Sequence, residues 1–247
     1  IGLVAFGNVR IVGQTKTPFT RTNAVMAVAQ TSVTAGTGWA LGDDVFVSDT
    51  RHLDDGPNNH YEYRTLSSAS AMSAGLTYAH PIAKNADDTD ARSGTLCAHV
   101  VNLTRSVIIR SENPAGTRGH IIFTGEDTGT PELRNVLVMD MGRTLNDVLD
   151  VTTGTTTVPT HIGTNQIGRY PVHMHHKHMC DFVLQNVAVW KSKKWPMTVH
   201  GTQGGTVSGC VCVDGTGAGI VTEDATVQDK TISDNFTAQI TGTGQLA

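Results

Sequence analysis

Nine residues, Gly168-Arg169-Tyr170-Pro171-Val172-His173-Met174-His175-His176, gather an arginine, a tyrosine and three of the chain's 11 histidines. His173 and His175 are two apart, so in an extended strand both imidazoles leave one face while Val172 and Met174 leave the other. Neutral imidazole is a common ligand for divalent metals and an acid or base near neutral pH. Twenty-five residues on, Met197-Thr198-Val199-His200 repeats the alternation with a single histidine. Another 23 residues bring Ile220-Val221-Thr222-Glu223, followed by Asp224, which sets a carboxylate pair at the same point of the pattern.

Strands recurring at this interval, with small turn residues between them, predict a parallel β-helix whose coils stack about 4.8 Å apart. One outward column would then be His173/Thr198/Val221 and the next His175/His200/Glu223. The inward ladder would be Val172/Met174, Met197/Val199 and Ile220/Thr222. Three imidazoles and a carboxylate on one face suit a borderline divalent ion such as Zn²⁺, Mn²⁺ or Fe²⁺. Ca²⁺ would prefer Glu223, Asp224 and carbonyl oxygens. Arg169 is placed to fork onto a sugar carboxylate, and Tyr170 to stack on a pyranose ring.

Two chemistries are open at such a site. A metal activates water or polarises a uronate carboxylate, with a histidine as base. Alternatively, Glu223 and Asp224 form a glycosidase pair, although adjacent strand residues point to opposite faces. Structural readings stand beside these. The histidines can form a hydrogen-bonded stack capped by Glu223, and Arg169 a salt bridge holding the 142–168 connection. Tyr170-Pro171 can be a packing unit that fixes strand entry. Trp190 and Trp195 form either a sugar platform or core. His120 falls near a neighbouring rung, His176 and His178 are expected to face inward or into solvent, and His161 to lie in an exposed Thr-rich loop.

Composition supports an all-β chain. Charged residues make up 16% of the 247 and Gly supplies 26, whereas helix surfaces are normally built from Glu, Lys, Arg and Ala. No stretch holds a period near 3.6 over ten residues. A β-sandwich is the competing architecture, but it needs hairpins, and only Asp214-Gly215 supplies a tight-turn pair between strands. The net charge of −4, with no basic cluster beyond Lys191-Ser192-Lys193-Lys194, argues against nucleic acid as a partner. No apolar run approaches a membrane span. Cys97, Cys180, Cys210 and Cys212 lack metal-site spacing and read as buried free thiols rather than disulfides. The sequons Asn102-Leu103-Thr104 and Asn235-Phe236-Thr237 are compatible with secretion. With Ile at its start, the chain reads as a piece of something longer, so further domains or self-association are expected.

Along the chain, residues 1–96 read as a β-rich section with polar loops at 50–60 and 84–95, and residues 97–247 as the β-helix coils. Expected strands in the second part include Ser106–Arg110, Asn135–Met139, Val172–His175, Phe182–Val189, Met197–His200, Thr206–Val213 and Thr231–Ile240.

The ordered motifs also resemble a known family. They are Phe6-Gly7-Asn8-Val9-Arg10-Ile11-Val12-Gly13, Thr17-Pro18-Phe19-Thr20-Arg21, Gly38-Trp39-Ala40-Leu41-Gly42-Asp43-Asp44-Val45 and Asn102-Leu103-Thr104-Arg105-Ser106-Val107-Ile108-Ile109. Arg118-Gly119-His120-Ile121-Ile122-Phe123, the Ile167–His175 run, Val199-His200-Gly201-Thr202 and Glu223-Asp224 follow. In this order they are similar to the β-helical region after the eight-glycine domain of cell-migration-inducing hyaluronan-binding proteins. Hyaluronan-degrading transmembrane, fibrocystin-like, microbial and viral proteins share the pattern, and the chain reads as a microbial or viral relative. The resemblance implies a right-handed parallel β-helix and an extracellular, cell-surface or virion-surface setting. In some members it also implies divalent-cation-dependent hyaluronan cleavage. Two departures bear on activity: the family's Glu-Asp-Gly-x-Glu is Glu223-Asp224-Ala225-Thr226-Val227 here, without its second Glu, and Ala218 stands where relatives place His or Gly.

The expectation is a polysaccharide-engaging β-helix, a metal-assisted glycan depolymerase of hyaluronidase-like type. His173, His175, His200 and Glu223 would hold a divalent ion (Zn, Mn or Ca), and Arg169 would join them in catalysis. Arg169, Tyr170 and Asp224 would bind substrate. The alternative is a non-catalytic structural or carbohydrate-binding β-helix of an adhesin, fibre or filament.

Overall fold

Short apolar-alternating runs broken by Gly, Asn and Asp build 22 strands and no helix among the described residues. The structure is a computed structural model that describes residues 2–50, 59–82, 97–125, 129–143, 148–155, 157–223 and 230–242. It divides into two compact units, residues 14–104 and residues 1–13 with 105–247.

The larger unit is a stack of five coils, each giving one strand to each of three parallel sheets. Its first coil opens with β1 (Leu3–Phe6) and β2 (Arg10–Val12). The chain then forms the other unit from β3 (Phe19–Arg21), β4 (Asp44–Val47), β5 (Glu62–Ser68), β6 (Ala71–Met72) and β7 (His99–Asn102), and completes the first coil with β8 (Val107–Arg110). The second coil is β9 (Ile121–Thr124), β10 (Glu132–Arg134) and β11 (Val136–Met139). A small antiparallel hairpin, β12 (Thr153–Gly154) and β13 (Pro159–His161), lies in the connection to the third coil, which is β14 (Val172–Met179), β15 (Val183–Gln185) and β16 (Ala188–Trp190). The fourth comprises β17 (Met197–Gln203), β18 (Thr206–Ser208) and β19 (Val211–Thr216), the fifth β20 (Ile220–Glu223), β21 (Thr231–Ser233) and β22 (Phe236–Thr241). The all-β parallel β-helix expected from the spacing is the fold observed.

The organisation differs from the sequence expectation at both limits of the N-terminal section: residues 97–104, with β7, belong to the smaller unit and not to the coils. Residues 3–12 do not belong with an N-terminal section ending at 96, because β1 pairs in parallel with β9 and β2 with β10. The first coil is interrupted by residues 14–104, so its strands are split in sequence though adjacent in space. Most of the two expected polar loops, at 50–60 and 84–95, lies outside the described residues.

Three expected strands also divide. Phe182–Val189, Thr206–Val213 and Thr231–Ile240 each turn a corner at Asn186, Gly209 and Asp234, which have φ of 52°, 61° and 54°. Left-handed backbone is cheapest for Gly and tolerable for Asn and Asp. Asn135 (φ 53°) turns the coil below, and the Asn186 side-chain amide donates to its Oδ1 at 3.2 Å, tying corner to corner.

The helix interior is one continuous apolar core. Val172, Met174, Met197 and Val199 are buried in it as expected, with Phe123, Phe182, Leu133, Leu184 and Val207 from neighbouring sheets. Ile220 packs against it, whereas Thr222, in the last coil, is exposed. Cys180, Cys210 and Cys212 are buried there as free thiols, and Cys97 is a half-buried free thiol.

The smaller unit is an antiparallel sheet in the order β3-β7-β4-β5-β6, packed over Met26, Trp39, Val45, Val47, Leu66 and Val100. Its buried Asp43 accepts from Lys16 Nζ at 2.6 Å and from Asn102 Nδ2 at 2.8 Å. Asn102 is fully buried, and Asn235 uses its amide to accept from Cys210 N and donate to Val207 O. Both sequon asparagines are therefore spent on internal hydrogen bonds and not presented to a glycosylating enzyme.

Candidate functional site

The register puts the sequence motifs side by side as the spacing required. Across β14, β17 and β20, His175 pairs with His200 and His200 with Glu223, while His173 pairs with Thr198 and Thr198 with Val221. His175 Nδ1 lies 3.2 Å from His200 Nδ1, and one ring nitrogen from each of His173, His175 and His200 falls within 4.8 Å of the others. The His173 and His200 rings are almost parallel, 5.8 Å apart, with His175 set edge-on to both at 4.8 and 5.0 Å.

His173 is 1% exposed, although it points away from the apolar interior. Its Nδ1 sits 2.8 Å from the Gly168 carbonyl, and since a carbonyl only accepts, Nδ1 carries the proton. Nε2 is then a lone-pair nitrogen, and it is buried with no hydrogen-bond partner. Thr198 Oγ1, on the paired residue, is likewise buried and unpartnered. Burial pushes the His173 pKa down to about 3 against the opposing Gly168 hydrogen bond, and the neighbouring His175, His200 and Arg169 lower it further. The ring is therefore neutral at any ordinary pH.

Part of this arrangement matches metal-ligand spacing, whereas the three nitrogens together spread to 4.8 Å. Two nitrogens bound to one tetrahedral ion at about 2.0–2.1 Å stand about 3.3–3.4 Å apart, close to the 3.2 Å between His175 and His200. A backbone carbonyl on the far nitrogen is the usual support for a ligating imidazole, and Gly168 provides it for His173. An all-nitrogen core suits Zn²⁺ or Mn²⁺ better than Ca²⁺. Glu223 Oε2 stands 3.7 Å from His200 Nδ1, too long for a hydrogen bond, and lies outside the group of three imidazoles, unlike the expectation that made it a fourth ligand.

Tyr170 departs from its expected role. It is 2% exposed, with its ring stacked on Trp195 at 5.5 Å and 1° and edge-on to His173 at 4.9 Å. A ring enclosed in this way offers no face to a sugar. Burial and the charge of Glu223 raise the pKa of its hydroxyl. Trp195 needs Gly217, where φ is +96° and a Cβ would stand 1.9 Å from Trp195 Cδ1.

Arg169 is half-buried, and burial and the nearby Arg143 lower its pKa. A backbone hydrogen bond from Arg143 N to Arg169 O at 2.8 Å ties the start of that connection to its end. Asp224, expected to bind substrate, lies outside the described residues. So does the rest of the Glu-Asp motif up to Val227.

Two residues were missed in the sequence. His176, expected to face inward or into solvent, has φ 48° and turns its exposed ring edge-on to His175 at 4.5 Å and to His200 at 4.6 Å. The pairing of β14 with β17 shifts between His175 and His178, and a strict two-residue period does not foresee that bulge. Gly201, with φ +50°, makes room, since a Cβ there would meet His176 Nδ1 at 2.9 Å. Lys194 read as part of a basic run, yet it is 3% exposed, with Nζ 5.6 Å from the Trp195 ring. Burial lowers its pKa and Glu223 raises it. Lys191 lies over Trp190 instead, so the run forms no basic face.

His120 precedes β9 and is not among the clustered ligands. It is 5% exposed and its Nδ1 has no partner. Burial, then Arg169 and Arg143, press its pKa down to about 4. Between about pH 6.5 and 4 the unfolded chain therefore binds a proton that the folded one does not, so stability rises with pH across this window. On acidification from pH 6.5 to 4 in metal-free buffer, His120 is expected to withdraw on the order of 1–3 kcal/mol of stability. Urea titrations of wild type and His120→Gln check this: the variant should show the shallower pH slope, and equal slopes would refute it.

Among the described residues no helix is long and apolar enough to cross a membrane. No curated protein matches the chain. Among solved structures, the tailspike gp61 of Pseudomonas phage phi297 is similar at 7% identity and a TM-score of 0.26, over 95% of this chain and 35% of that one. The tailspike gp49 of Pseudomonas phage LKA1 is similar at 10% identity and a TM-score of 0.25, over 95% of this chain and 44% of that one. The chain thus spans less than half of either. Residues 157–246, which carry His173, His175, His200 and Glu223, match the family described as CEMIP beta-helix, the family that the ordered motifs resemble.

Proposed function

We propose that this β-helix engages polysaccharide at an extracellular or particle surface and depolymerises it with the help of a divalent metal held by His173, His175 and His200. The observation that carries the reading is the grouping of one ring nitrogen each from His173, His175 and His200, with His173 Nε2 buried and left as a lone pair by the Gly168 hydrogen bond. Leaving such a group unsatisfied costs stability, which a bound ion would restore. A Zn²⁺ or Mn²⁺ ion there would supply Lewis acidity toward a substrate oxygen or a bound water. The protein's own residues do the rest. His173 and His175 present their nitrogens from one rigid strand and His200 from the next, so no loop has to order. Glu223 adds negative charge beside His200, and Arg169 offers a guanidinium for a uronate carboxylate. The resemblance points to hyaluronan or a similar acidic glycan.

The non-catalytic reading, a β-helix of an adhesin or fibre that uses the histidines as a stack, is favoured by one observation: the motif after Glu223 lacks its second Glu. Viscometry separates the two. Metal-loaded wild type should reduce the viscosity of hyaluronan or another member of a panel of acidic and neutral glycans, and EDTA or His200→Ala should abolish the loss. Stoichiometric metal without cleavage of any glycan would leave the fibre reading in place.

A further inference from the structure

Four side chains share one outward patch of β14 and β17. His173 and His175 alternate along β14, and their partners in register are Thr198 and His200 on β17. Strands stacked about 4.8 Å apart, with residues two apart on a common face, set these four at the corners of a small rectangle. Imidazoles occupy three corners and group their nitrogens. The fourth corner is Thr198, which is 0% exposed. Among the described residues its Oγ1 is buried without a hydrogen-bond partner, as is His173 Nε2 on the neighbouring corner. The two therefore do not bond each other, although a hydroxyl can donate to a lone-pair nitrogen. Buried polar groups are nearly always answered, and an unanswered one is costly. Both atoms are closed to bulk solvent, so only a bound group answers them. An ion on Nε2 satisfies the nitrogen alone. Three nitrogens leave a tetrahedral ion one open position, which an oxygen ligand takes, and that oxygen is within the reach of the fourth corner.

We infer that Thr198 is a positioning residue of the histidine site, its hydroxyl hydrogen-bonding the water that fills the coordination position left open by His173, His175 and His200. The inference rests on the metal site proposed above. It goes beyond that site by adding a fourth protein member, one that touches the water and not the ion, since imidazole suits a borderline divalent ion better than a neutral hydroxyl does.

Thr198→Val and Thr198→Ser test it with and without metal. In EDTA, Thr198→Val removes an unanswered hydroxyl at nearly constant shape, so its Tm should equal or exceed that of wild type. Competition with a chromogenic chelator should show Thr198→Val binding Zn²⁺ about 10-fold more weakly, the lower end of what outer partners of a metal site govern. Thr198→Ser keeps the hydroxyl and should bind as wild type does. In Co²⁺-loaded protein the visible absorption bands, which report the ion's ligands, should shift in Thr198→Val and not in Thr198→Ser. A lower Tm of Thr198→Val in EDTA would mean that the hydroxyl has a structural partner. That result, unchanged Zn²⁺ affinity in Thr198→Val, or equal losses in both variants would overturn the inference. Wild-type protein that binds neither ion would overturn the metal site itself, and is distinguished by failing before any variant is compared.

Discussion

His175→Ala should lower the affinity for Zn²⁺ or Mn²⁺ on the order of 10²–10³-fold while leaving the fold intact. Four-ligand structural zinc sites bind with an apparent 10–16 kcal/mol, or about 3 kcal/mol per ligand, and 1.4 kcal/mol is a factor of ten. His175 provides one of three clustered nitrogens, and its Nδ1 stands 3.2 Å from that of His200, so its loss leaves only two. It is half-buried and outside the apolar core, so truncation opens no interior cavity. His178→Ala is the control: this exposed residue of the same strand, with φ 50°, is outside the cluster and should leave metal binding unchanged. Isothermal titration of both variants reads the difference. Equal affinity in wild type and His175→Ala would refute the assignment.

Phe182→Ala should cost about 3–5 kcal/mol of stability, the usual loss for a fully buried phenylalanine. Phe182 is 0% exposed and opens the second-sheet part of the third coil, the coil that carries His173 and His175. Its ring lies against Gly205, where φ is +84° and a Cβ would stand 2.3 Å from Phe182 Cδ1. No side chain can move in from that position to fill the void. The prediction is a lowered urea midpoint with a nearly unchanged m-value, since the surface exposed on unfolding hardly changes. A loss under 1 kcal/mol would mean that the coils relax around the gap and that the core is looser than its burial indicates.

The fold was legible where hydrogen bonding and side-chain alternation share one period. The 25- and 23-residue spacings give the register of His175, His200 and Glu223 directly, because stacked parallel strands keep equivalent residues opposite one another. Corners were less legible. Asn186 and Asp234 read as strand interior, since a single left-handed residue turns the chain without a Gly-Pro signal. The membership of β1 and β2 was hidden by distance, residues 14–104 intervening before β8 completes their coil.

At the site, alternation identified which histidines share a face but not what covers that face. His173 was expected to point outward, and it does, yet Tyr170 and neighbouring residues enclose it to 1% exposure. The same enclosure leaves Tyr170 no open ring face to serve as a sugar platform. Lys194 had no signal beyond its charge, because its 3% exposure follows from how the folded coil encloses it.

The most direct test of the metal assignment is anomalous diffraction from crystals of the protein equilibrated with Zn²⁺, recorded on both sides of the zinc absorption edge. The account predicts one strong peak at about 2.0–2.1 Å from His173 Nε2 and from one ring nitrogen of each of His175 and His200. A strong peak elsewhere, with none among these three imidazoles, would contradict it.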